Sequence, residues 1–192
     1  MTAETGYPMT FDVEYPQELS RWLIFVKWLL VIPHGLILYA LGLVSGIAIF
    51  IAWFAILFTR RFPRGLFDFV VNVNRWGLNV AAYVLLMRDD YPPFSWEKGK
   101  YAVTYDVEYP EQLSRWLIFV KWLLIIPHII VLYVLFLAYY VTLLIAWFAI
   151  LFTKRYPQGL FRFGVGVLRW GSRINVYSNL LRDDYPPFSL SP

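Results

Sequence analysis

The stretch His34–Thr59, HGLILYALGLVSGIAIFIAWFAILFT, decides how the rest of the chain is read. It carries no charged residue. At about 1.5 Å rise per residue it is long enough for a bilayer core, which needs roughly 20 apolar residues. It opens after Pro33 and closes on a basic turn, Arg60-Arg61-Phe62-Pro63-Arg64-Gly65. A second such stretch runs from His128 to Thr153. It too stands behind a proline, Pro127, and ahead of a basic turn, Lys154-Arg155-Tyr156-Pro157-Gln158-Gly159.

The recurrence is a duplication. Shifting the chain by 94 residues aligns Thr10–Ser95 with Thr104–Ser189 without a gap, and 55 of 86 positions are identical. The blocks DVEYP, LSRWLIFVKWLL, IAWFAILFT and RDDYPPFS are unchanged. The chain therefore divides into a first repeat (10–95), a linker (96–103, WEKGKYAV) and a second repeat (104–189). In the linker, Glu97-Lys98-Gly99-Lys100 reads as a hairpin turn, with Gly99 supplying a permissive backbone. Phe94–Trp96 and Tyr101–Val107 are its expected strands, and Met9–Tyr15 is a candidate to join them.

Composition agrees with a membrane setting. Hydrophobic residues make up 59% and charged residues 16%, against roughly 25% charged in ordinary globular chains. Nine Trp and fourteen Tyr suit a membrane–water boundary, where a ring has one wet and one dry end. The absence of cysteine excludes disulfides, thiolate metal sites and thiol catalysis. The N-terminal MTAETGYPMTFDVEYP is polar and lacks the apolar core of a signal peptide, so an internal span is expected to direct insertion.

Each repeat reads in three segments. The first, Leu19–Ile32, places Ser20, Arg21, Ile24, Lys27 and Trp28 on about a third of a helical wheel. It is expected to lie in the interface as an amphipathic helix, ended or bent by Pro33. Arg21 and Lys27, with Arg115 and Lys121 in the second repeat, would reach for headgroups. The second segment is the apolar span. The third, Gly65–Met87, also has the length of a span. Its Asp68, Asn72, Arg75 and Asn79 step by four, three and four, forming one stripe. The second repeat has Arg162, Gly166, Arg169 and Arg173 there. The expected fold is an all-α integral membrane protein of two tandem repeats. Each repeat contributes an interfacial helix and two transmembrane helices, four spans in all, beside a small extramembrane β-element. The repeats would then run parallel about a pseudo-twofold axis along the membrane normal. The basic turns near Arg61 and Arg155 would share the cytoplasmic face, with the termini and the linker opposite.

Few residues offer chemistry. His34 and His128, the only histidines, are candidates for a bis-imidazole haem, pigment or metal site. Neither has a carboxylate adjacent in sequence to orient its ring, so no cofactor is expected. Asp89-Asp90 and Asp183-Asp184 suit helix-end caps and surface ion pairs better than a metal. Along the third segment, the arginines outnumber the single acid Asp68, which favours headgroup phosphate, a water-filled cavity or a partner subunit. Gly-rich phosphate loops, Ser–His–Asp sets and zinc spacings do not occur, and the dispersed basic residues argue against nucleic acid. The expected role is non-enzymatic: an accessory or scaffold subunit whose partners are lipids, other membrane subunits or copies of itself. The alternatives are a small ion or solute channel or transporter using the stripe, and a haem or pigment subunit using the histidines.

At LSRWLIFVKWLLVIPH, IAWFAILFTRRFPRGLF and RDDYPPF the sequence resembles a bacterial membrane family, domain of unknown function 4389. The resemblance covers both repeats. It implies a bacterial cytoplasmic (inner) membrane location and brings no activity, cofactor or catalytic residue.

Overall fold

Both apolar runs are continuous helices, which pair their backbone donors and acceptors within the segment. The computed structural model describes residues 7–192; the first six residues of the polar N-terminal stretch lie outside the described residues. The elements are β1 (Met9–Val13), α1 (Lys27–Leu30), α2 (Ile32–Thr59), α3 (Arg64–Val84), β2 (Val103–Val107), α4 (Lys121–Leu124), α5 (Ile126–Thr153) and α6 (Gln158–Ser178). The protein is thus mostly helical, built from two tandem repeats. Among the described residues, α2 and α5 are long and apolar enough to cross a membrane.

The first segment of each repeat is not the expected interfacial helix. It is a 3₁₀ turn (Leu23–Phe25, Leu117–Phe119) followed by the single turn α1 or α4. Pro33 does not end a helix but stands in the first turn of α2, where its missing N–H costs no bond. The basic turns begin with left-handed caps, Arg60 at φ 61° and Lys154 at φ 59°. Their N–H groups bond back to Ile56 and Ile150, both at 2.8 Å, as αL caps do.

The β-element also differs from expectation. Gly99 turns the chain at φ 76°, but Phe94–Trp96 is not a strand. β2 pairs antiparallel with β1, which lies within the expected Met9–Tyr15 stretch, with Phe11 opposite Tyr105. These two residues are repeat equivalents, so the pseudo-twofold axis passes between them, normal to the sheet.

The helices stack behind the sheet in two layers. β2 lies on α3 and β1 on α6, while α2 packs on α3 and α5 on α6. Tyr139 of α5 closes on Gly164 of α6, and Leu132 and Phe136 meet Gly171, so α5 and α6 form an antiparallel hairpin. α3 and α6 are antiparallel as well. Asn74 bonds Asn175 at 2.9 Å, and Met87, just past α3, packs against Gly164 near the start of α6. The parallel arrangement expected from the sequence is therefore not formed. The basic turns lie at opposite ends of the helix layers, and the sheet lies alongside the helices rather than beyond their ends. The repeats interlock at those ends: Leu19 N–H bonds Lys154 O and Leu113 N–H bonds Arg60 O, each at 2.8 Å.

Candidate functional site

The polar stripe of the third segment is the stitching between α3, α6 and the sheet. Arg75 is buried; its Nε donates to Tyr105 O at 3.0 Å and its Nη1 to Asn72 Oδ1 and Trp96 O. Arg169 repeats this with Phe11 O at 2.8 Å and Leu190 O at 3.0 Å, and pairs with Asp12 at 3.1 Å. Arg173 is also buried and donates to Ser189 O and Ser191 O; Asn79, its counterpart, is buried on α3. Strand and tail carbonyls thus take the arginine protons that the sequence left without partners. Asp68 does not meet Arg162. It forms an exposed pair with Arg64 one turn earlier, at 3.0 Å. Arg162 is exposed, at a cleft of about 560 Å³ that Asp12, Glu14 and Gln158 also line.

Lys27 and Lys121 do not reach for headgroups; they are 1% and 2% exposed. Lys27 Nζ donates to Arg88 O at 2.6 Å, pairs with Asp89 at 2.8 Å and lies 4.8 Å from the centre of the Tyr83 ring. Asp89 also accepts the Ser20 N–H. Lys121 makes the same set with Arg182 O, Asp183 and Tyr177. Burial pushes both ammonium groups below the ordinary lysine range, and the neighbouring aspartate opposes it. The aspartates read as helix-end caps are therefore partners of the first segment. Arg21 and Arg115 are half-buried in the same region.

The histidines are fully buried. Trp76 Nε1 donates to His34 Nδ1 at 3.1 Å, and Phe94 stacks on the imidazole at 4.0 Å. His128 repeats this with Trp170 and Phe188. Since α2 and α5 are antiparallel, the rings lie at opposite ends, each enclosed by aromatics of its own repeat. The bis-imidazole arrangement is not formed. Sequence reasoning missed Trp76 and Trp170 as partners. No local pattern pairs them: His34 and Trp76 are unchanged between the copies, but so are Pro33, Arg75 and Gly77 beside them. Trp76→Phe removes the donor and leaves His34 Nδ1 buried and unpaired, so a loss of about 1–3 kcal/mol is expected. Thermal unfolding in detergent measures it, and an unchanged melting temperature would remove the bond from the account.

What is left to face outward is apolar. On α2, Leu36, Leu43, Ile47, Phe54 and Phe58 form an exposed stripe directly opposite the buried His34, Ser45, Ala48, Ala52 and Ile56. α5 exposes Ile130, Leu137, Tyr140, Leu144 and Phe152. Between the two helices, Leu38, Leu132 and Phe136 line a cleft of about 500 Å³ that also reaches Asn74, Asn175 and the sheet residue Tyr105. Cations and exposed tryptophans close each end of the layer. Lys154 lines one cleft with Trp22, and its repeat equivalent Arg60, which accepts the Leu113 N–H, lies at the end that carries Trp116; both rings are about three-quarters exposed (75% and 74%).

Fold and surface together define a duplicated helical-hairpin protein with one outer layer of unpartnered apolar helix. The family described as "Domain of unknown function (DUF4389)" matches it twice, over residues 21–95 and 115–189. The chain belongs to that family, in two tandem copies. No curated protein and no solved structure matches it.

Proposed function

We propose that this protein is a non-catalytic membrane protein of the bacterial inner membrane that works by association, as an accessory or scaffold subunit holding lipid, a partner complex or further copies. The observation that supports it is the exposed layer of α2 and α5, whose large apolar side chains are open along both helices. A contiguous face of that extent is not left to water in a soluble monomer. The buried polar groups are consistent with this reading, because Arg75, Arg169, the lysine–aspartate pairs and the histidines are engaged in holding the fold. Arg75 and Arg169 bond strand carbonyls, which supports association over a conduction path between α3 and α6. Mild extraction from native membranes followed by mass analysis tests the proposal. Co-purification of lipid, of a stoichiometric subunit or of further copies is expected. A monodisperse monomer carrying neither lipid nor protein would overturn it.

A further inference from the structure

We infer that α2 and α5 lie flat within one leaflet of the bilayer and do not cross it, with the pseudo-twofold axis along the membrane normal and the β-sheet facing water. This rests on the membrane reading above and fixes how the chain sits. The argument comes from the order of the layers. The open face of the sheet carries Thr10, Asp12 and Thr104, with Asp106 half-exposed beside Lys98. The sheet is anchored at Arg75 and Arg169, midway along α3 and α6. α5 packs on the Gly164 and Gly171 face of α6, about half a turn of the helical wheel from Arg169, and α2 packs on α3 in the same way. If α2 stood upright across the bilayer, the sheet would sit at the depth of its middle. Asp12 and Asp106 would then enter hydrocarbon, at about 2.5–3.5 kcal/mol each on insertion scales. The outer edges of a two-stranded sheet would also lose water as a backbone partner.

Turning the molecule through a right angle removes both costs. A helix is about 10–12 Å thick with its side chains, and one leaflet of a roughly 30 Å core is about 15 Å deep. A single layer of helices fits inside one leaflet. This orientation also accounts for why α2 and α5 have no polar face. In a lone interfacial helix the polar half points to water; here α3, α6 and the sheet form that half. Both ends of the layer then lie at one depth, where Arg60, Arg61, Lys154 and Arg155 meet headgroup phosphates and Trp22 and Trp116 sit at the boundary. The basic and aromatic ends alone would suit an upright pair as well; the position of the sheet decides between the two.

Two measurements on the full-length chain in phosphatidylethanolamine–phosphatidylglycerol vesicles test this. Single cysteines at Arg61, Arg155 and Thr104 are labelled with an impermeant reagent from one side. All three are expected to label from the same side in any one oriented population. Single cysteines at Leu36, Leu43, Ile47, Phe54 and Phe58, carrying a fluorophore, are quenched by lipids brominated at known depth. A flat depth profile is expected. Opposite labelling of positions 61 and 155, protection of 104 when both turns label, or a profile deepest at position 47 would overturn the in-plane placement while leaving the membrane reading intact. Failure to float with the vesicles, with two copies joined face to face in solution, would overturn both.

Discussion

Replacing Lys27 with alanine is expected to cost about 3 kcal/mol of stability, the lower end of what breaking a buried ion pair costs. The lower end applies because the Asp89 side chain keeps about a quarter of its exposure (24%). The loss has three sources. Asp89 retains the Ser20 N–H but no cation, Arg88 O loses its donor at 2.6 Å, and the Tyr83 ring faces an empty shaft where the ammonium lay. Denaturation in detergent, followed by tryptophan fluorescence, reads it. Asp89→Ala placed in the same chain should recover part of the loss, because neighbours in one network are not additive. A cost below about 1 kcal/mol would put this pair with the exposed ones, which are worth that little.

Gly164→Val is expected to destabilise by about 1–3 kcal/mol, as overpacking does. Even a Cβ there would stand 2.5 Å from the Tyr139 ring and 2.9 Å from Met87 Cε, and Tyr139 is fully buried with no room to swing away. The first repeat has the opposite pairing, Ser45 with Val70, both buried. Large on α5 goes with small on α6, and small on α2 with large on α3. Tyr139→Ser added to Gly164→Val recreates the first repeat's combination and should restore most of the stability. Chemical denaturation of the single and double variants decides it; a double variant no better than the single one would mean the two positions are not coupled.

The sequence revealed the extent of its four long helices and little of their direction. The apolar runs and the stripe at Asp68, Asn72, Arg75 and Asn79 were legible because helical periodicity is local. Repeat identity says that two segments fold alike, but not which axis relates them. Charge at the two basic turns does not say at which ends of the helix layers they lie, and the antiparallel packing of α3 on α6 puts them at opposite ends. The stripe's partners were hidden for a different reason: Arg169 bonds Phe11, 158 positions away, across a contact no local pattern announces. Leu19–Ile32 failed as a helix because long-range demands win there. Lys27 is drawn inward to Arg88 O and Asp89, and the segment is a 3₁₀ turn and one α-turn instead of a continuous helix.

The sheet has a consequence for how this chain becomes a folded object. Strand β1 opens the first repeat yet rests on α6 of the second, and β2 opens the second yet rests on α3 of the first. Each half has lent its leading strand to the other, in the manner of a domain-swapped dimer whose two subunits happen to be one polypeptide. A lone repeat would lack a partner for its strand and a lid for its own arginine. The smallest unit that can fold is the pair. The linker is what makes the exchange intramolecular, holding the halves at an effective concentration that two free chains would have to supply by association.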